Sequence, residues 1–128
     1  MAVGLSAATA NAFLNALGNA TNYTADSEVW VQLHVGDPGA AGTANTATET
    51  TRKLTSFGAA SGGSMANDAA VSWTNIAGSQ DATHFSAWSA SSSGTFRFSG
   101  LITANAYTAG DTLTYGVGAF TVTFNTAA

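Results

Sequence analysis

Two histidine–carboxylate pairs come closest, in residue type and spacing, to a catalytic or metal site in this 128-residue chain. His34 precedes Asp37 by three residues, and Asp81 precedes His84 by three. A spacing of three aligns side chains on a helix, whereas on a strand it sends them to opposite faces. Because both pairs fall on or beside predicted strands, we expect neither of them to hold a metal ion or to act as an acid–base pair.

The other polar motifs also have structural explanations. No serine or cysteine stands beside His34 in the strand-to-helix turn that exposes a nucleophile. Asp68, Asp81 and Asp111 are isolated carboxylates next to turns, where a short acid accepts backbone N–H groups. The sequence SGGS at residues 61–64 lacks the lysine and helix of a phosphate-binding loop and predicts a hairpin turn. We therefore expect no catalytic residue, no cofactor and no metal.

Aromatic side chains suggest an alternative function, since exposed rings can stack on sugars in a β-sandwich binding module. The tryptophans and tyrosines are Trp30, Trp73, Trp88, Tyr23, Tyr107 and Tyr115. Trp88 and Phe85 have opposite parity on one predicted strand, so both can face a single core only across a bulge. We interpret Trp88 as part of a second apolar layer or of a subunit contact rather than as a sugar platform.

Charge and cysteine content exclude several classes of protein. The chain has 3 Lys+Arg and 7 Asp+Glu, with a formal net charge of −4. Three cations cannot provide the row of phosphate contacts that nucleic-acid binding requires. The lack of cysteine excludes disulfides and thiolate metal sites. A surface wetted mainly by hydroxyls and amides is easily covered by protein, which favours a chain that packs against neighbours.

The alanine-rich N-terminus predicts a short helix at residues 7–17. No basic region precedes it, so we do not interpret it as a signal peptide, and we expect no membrane partner. Ser6 is the expected N-cap and Gly18 the expected left-handed residue after the helix. A helix of three turns is marginal alone, so its apolar stripe must rest either on the β core or on a partner. That stripe consists of Phe13, Leu14 and Leu17.

The rest of the chain is organised around residues 28–45, a strand with period-two alternation that runs into a long turn. Further strands are predicted at about 53–59, 64–67, 71–76, 82–89, 94–101, 112–117 and 119–125, the last two as a hairpin. Turn-forming Gly, Asn and Asp residues separate them. We expect a single domain over 1–128, mainly β. Its core at 29–125 would be a β-sandwich of about eight short strands, with the jelly roll as one form of it.

The loop at residues 36–51 is the first candidate for an intermolecular contact. It carries Pro38, the one proline of the chain, and almost no large side chains. Loops of this length are usually functional or mobile. Residues 1–5, before the helix, are the second candidate. The side chains expected at intermolecular contacts are Val3, Leu5, Asp37, Pro38, Gly39, Thr43, Asn45 and Trp88.

Four segments together resemble a known family. They are LHVGDPGAAGTANTA at 33–47, FGAASGG at 57–63, THFSAWSASSSGT at 83–95 and AGDTLTYGVGAFTVTF at 109–124. These segments are similar to short virion proteins of actinobacterial phages, which are labelled head decoration, minor tail or tail fibre proteins. Ser89 after Trp88 and the threonine-rich residues 46–51 depart from that pattern. The resemblance implies a structural, non-enzymatic role in the virion.

The sequence contains no heptad, collagen or solenoid period, so it predicts a compact knob rather than a fibre shaft. We expect a capsid decoration protein, bound in many copies to the outer surface of the virion. The alternative is a minor tail or tail-fibre-tip protein, and a carbohydrate-binding module is less favoured. The expected partners are the major capsid protein or tail proteins, together with further copies of the chain, for which we expect a trimer.

Overall fold

The computed structural model describes residues 3–128, which form one helix and eight strands. The elements are α1 Ala7–Gly18, β1 Trp30–His34, β2 Lys53–Leu54, β3 Ser64–Ala66, β4 Val71–Trp73, β5 Gln80–Trp88, β6 Phe96–Tyr107, β7 Leu113–Tyr115 and β8 Thr121–Thr123. All strand pairs are antiparallel. The predicted fold class is therefore confirmed: the chain is mainly β, sandwich-like, with one short N-terminal helix.

The first layer is a four-stranded sheet with the order β2-β1-β5-β6. Alternation along β1 and β5 turns Val31, Leu33 and Phe85 to one face, where they are fully buried. Phe85 pairs with Gly100 of β6. A Cβ atom at Gly100 would lie 2.5 Å from the Phe85 ring, so a glycine is needed there for the ring to lie flat across the neighbouring strand.

The second layer consists of two separate ribbons, β3–β8 and β4–β7. Within residues 3–128 it is not one continuous sheet, so the chain does not adopt the jelly-roll form of the sandwich. The predicted hairpin between 112–117 and 119–125 is also wrong, because β7 pairs with β4 and β8 pairs with β3. Phe120, between β7 and β8, packs its ring against Phe85 at 5.1 Å and Tyr115 at 5.4 Å between centroids.

Asn67 explains why β7 and β8 separate. Its side-chain amide donates to the carbonyl of Gly116 at 3.0 Å, and its Oδ1 accepts from the N–H of Phe120 at 2.9 Å. Its backbone N–H donates to the carbonyl of Phe120 at 3.1 Å. These bonds satisfy the backbone groups that a β7–β8 hairpin would have paired, and they direct the chain from one ribbon to the other.

Helix α1 begins as predicted, with the Ser6 hydroxyl accepting from the N–H of Thr9. Its end differs from the prediction: Gly18 is the last helical residue, and Ala20 takes the positive φ of 50°. Phe13 rests on other aromatic rings, but Leu14 and Leu17 are exposed, so the stripe is only partly covered. In the described part of the chain, no helix is both long and apolar enough to cross a membrane.

Replacing Gly100 with alanine is expected to lower the free energy of unfolding by about 1–3 kcal/mol, because the added methyl overlaps the Phe85 ring in a close-packed core. Gly116→Ala is the matched control, since a Cβ there meets no atom within 4 Å. Urea denaturation of both variants measures the difference. Equal stability of the two variants would contradict the packing argument.

Candidate functional site

The sheet face opposite the main core carries a buried line of hydrogen bonds. His34 Nδ1 lies 2.7 Å from the carbonyl oxygen of Ala44, which can only accept, so Nδ1 carries the proton. His34 Nε2 therefore accepts from the hydroxyl of Ser86 at 2.7 Å. That hydroxyl in turn accepts from Trp88 Nε1 at 2.7 Å. The line joins β1 and β5 to the 36–51 loop, and it uses every hydrogen-bonding atom of the imidazole.

Burial limits what this line can do chemically. A serine that donates to a histidine is the pairing that activates a nucleophile, but His34 and Ser86 are both fully buried. Desolvation is the largest cause that lowers the pKa of His34; the Ala44 carbonyl opposes it, and the nearby His84 and Arg52 lower the pKa further. The imidazole is therefore held neutral, and the line serves to fix the loop on the sheet.

In the two histidine–carboxylate pairs of the sequence, the histidine and the carboxylate are not hydrogen-bonded to each other. Asp37 Oδ1 accepts from the N–H of Gly39 at 2.8 Å, so Asp37 and His34 have different partners. His84 lies 2.8 Å from the Thr83 hydroxyl, and Asp81 is exposed. Within residues 3–128, no three His, Asp or Glu side chains gather closely enough to hold a metal ion.

Of the two positions expected for Trp88, the structure shows the one in a second apolar layer, and a subunit contact stays a prediction. Phe85 pairs with Leu33 and Trp88 with Trp30 on β1, so the two rings face opposite sides of the sheet, which their parity allows without a bulge. The register of β5 against β6 also shifts between Ala87 and Trp88. The ring packs on Phe96 at 5.4 Å, and the guanidinium of Arg52 lies 4.0 Å above its centre. Arg52 also donates to the carbonyls of Ala90 and Ser93. Trp88 is thus covered by its own chain.

The 36–51 loop has an inner and an outer side. On the inner side, Pro38 is buried, and Gly42 has a φ of +73° and lies so close to Phe96 that a Cβ would be 2.5 Å from the ring. On the outer side, Thr43 and Asn45 are exposed. Of the contact residues predicted in this loop, these two are the most open to a partner.

The other predicted contact residues have intermediate exposure. Gly39 and Asp37 lie at the start of the loop, and Asp37 Oδ2 is buried without a hydrogen-bond partner among the described residues. Leu5 forms an antiparallel bridge with Phe98 of β6, and Val3 lies just before it. Met1 and Ala2, which belong to the predicted N-terminal contact, lie outside the described residues.

A further site, absent from the sequence prediction, is an apolar groove of about 470 Å³ beside α1, which we call the α1 groove. It lies between α1, the segment before β1, the β3–β8 ribbon and the start of β6. Its apolar walls include Phe13, Tyr23, Met65, Phe98, Val122 and Phe124. These residues come from distant parts of the sequence, so no local pattern could indicate the groove.

One ion pair borders the α1 groove. Arg97 donates through Nε and Nη2 to the two carboxylate oxygens of Asp26, at 2.7 and 2.6 Å. The hydrogen bond to Asp26 raises the pKa of Arg97.

Every charged side chain of the sequence lies between Asp26 and Asp111, so the stretches before and after carry none. The absence of charged side chains from both ends of the sequence was the one signal that could have indicated the weakly charged α1 groove.

The buried imidazole predicts how stability depends on pH. The pKa of His34 is lowered in the folded protein, so the unfolded chain binds a proton more readily. The free energy of unfolding should be fully present above the unfolded pKa of 6.5 and should fall as the pH drops below it toward the folded pKa. Urea denaturation at a series of pH values measures this slope.

The matched variants for this measurement are His34→Gln and His84→Gln. Each removes one histidine, but only the first removes the buried imidazole. We expect His34→Gln to lose most of the slope just below pH 6.5 and His84→Gln to keep most of it, because desolvation lowers the pKa of His34 more than His84 does. A slope unchanged in His34→Gln would show that other groups cause it.

Comparison with known proteins shows which family the chain resembles. No curated protein matches the chain. A family model named Gp80, described as podophage GP4 fiber I protein gp80, matches residues 4–123. The matched range contains α1 and all eight strands. It supports the resemblance to phage virion proteins at the level of a fibre-type protein. The chain therefore belongs to the Gp80 family of podophage fibre proteins.

Proposed function

We propose that this protein is a non-enzymatic, globular component of a phage fibre, exposed on the outside of the virion. The observation that carries the proposal is the family match over residues 4–123, which covers the whole sandwich. Residues 1–128 contain no repeat period and form a knob, so the shaft or baseplate that holds it lies outside these residues. Its partners are accordingly tail proteins and further copies of itself.

A structural role is supported because side chains that could be reactive form hydrogen bonds that hold the fold together. His34 and Ser86 are fully buried and hold the 36–51 loop. Glu49 is buried as well, and its two oxygens accept the N–H groups of Ala77 and Thr51. These three side chains, which could act as base or nucleophile, are thus engaged within the chain.

Capsid decoration is the second candidate function, and the low charge of the chain favours it. With 10 charged side chains of either sign, the surface can be covered by a lattice of neighbours at low desolvation cost. A fibre knob is the better supported of the two, because the matched family is described as a fibre protein.

Labelling of particles with an antibody raised against the chain separates these candidates. Immunogold electron microscopy should place gold on the fibres at the tail, and particles lacking the gene product should bind none. Gold distributed over the head would support decoration and would contradict the fibre proposal. The absence of label from intact and disrupted particles alike would overturn a virion role altogether.

Attachment through the outer side of the 36–51 loop predicts a position-specific effect of charge. Thr43→Lys should reduce incorporation of the protein into particles, because it places an unpaired cation in a neutral contact. Thr103→Lys is the matched control, since Thr103 is also exposed but lies on β6. Bound copies are measured after adding each purified variant to particles that lack the protein.

Salt provides a second readout of the same experiment. At about 1 M salt the Debye length is only about 3 Å, so a contact held by charges would be released. We expect the wild type to stay bound. Equal incorporation of Thr43→Lys and Thr103→Lys, or release of the wild type by salt, would show that attachment uses another, charged surface.

A further inference from the structure

We propose that the α1 groove binds a second copy of this chain, with Leu17 of each copy inserted into the groove of the other. This inference rests on the proposed function insofar as that function includes self-association. It goes further by naming the surface and the side chain that fills it.

The first observation is an exposed apolar projection next to the groove. Leu17 is 84% exposed and Leu14 is 63% exposed on the last turns of α1. Leu17 follows Phe13 by four residues, so the two side chains lie on one face of the helix, and Phe13 forms a wall of the groove. A large apolar side chain thus stands in water beside an apolar hollow of about 470 Å³.

The second observation is the distribution of charge. With a net charge of −4, two copies repel each other unless they meet at a neutral surface. Residues 1–25 and 112–128 contain no charged side chain, and the fold brings them together where Phe13 contacts Phe124 at 5.6 Å. The ion pair of Asp26 and Arg97 at the groove is satisfied within one copy. The groove is therefore a surface at which two copies can meet with no unpaired charge at the contact.

The third observation concerns symmetry. The projection and the hollow lie side by side on one surface, so a two-fold axis between them places each Leu17 in the partner's groove at the same time. Each copy then covers its Leu17 and the apolar walls of its groove, so this contact closes on itself between two copies. A charged or strongly polar partner would gain little from this surface, whereas an identical copy supplies the apolar group that the hollow lacks.

The test is the oligomeric state of the purified chain, measured by light scattering during size-exclusion chromatography. Wild type should form a dimer as its concentration rises toward about 1 mM, where even an interface with a Kd that weak would be half assembled. Leu17→Glu should remain monomeric with an unchanged melting temperature, because its side chain is exposed in the monomer. Leu101→Glu is the matched control, since Leu101 is 64% exposed on β6, and it should dimerise like wild type.

A second variant blocks the hollow instead of the projection. Ala60 is exposed and lines the groove, so Ala60→Phe should fill the groove without disturbing the core and should also prevent dimerisation. A wild type that stays monomeric at all concentrations would overturn the inference, even if gold labels the fibres. Dimers that persist in both Leu17→Glu and Ala60→Phe would overturn it as well. Dimerisation as expected with no label on particles would instead overturn the proposed function.

Discussion

The fold depends on the pairing of Asn67 with Phe120. The ring of Phe120 contacts Trp73 of β4, Tyr115 of β7 and Phe85 of β5, so it joins the four-stranded sheet to one ribbon. Its backbone N–H and carbonyl are both held by Asn67, which follows β3 of the other ribbon. A single fully buried amide thereby connects three sheets that share no strand.

Such side-chain connections are needed because most strands are very short. Strands β2, β3, β4, β7 and β8 have two or three residues each, and a two-stranded ribbon of that length is marginal in water. Buried polar side chains supply the missing backbone partners. Glu49 accepts from Ala77 and Thr51, and His34 donates to Ala44, so the 36–51 loop is fixed in its middle and near its C-terminal end. Buried polar groups that are fully paired favour one arrangement of the chain.

Sequence patterns predicted the positions of the helix and strands better than they predicted which strands pair. The alternation along β1, the N-cap Ser6 and the opposite facing of Phe85 and Trp88 follow from local rules and are confirmed. The hairpin at the C-terminus was wrong, because the decisive hydrogen bonds come from Asn67, some fifty residues earlier in the chain. The second half of β6, up to Tyr107, was missed because its exposed residues lack alternation, and β5 holds them there by pairing.

The same limit explains which parts of the candidate surfaces could be predicted. The 36–51 loop is continuous in sequence, so its exposed residues could be predicted. The burial of Pro38 could not, because it depends on how the loop packs in the folded chain. The α1 groove is built from both ends of the chain, which meet only after folding. The distribution of charge is the one property of the sequence that also describes the groove in the folded structure. Because all ten charged side chains lie from Asp26 to Asp111, a fold that brings the two ends together creates a groove in which the paired Asp26 and Arg97 are the charged lining residues.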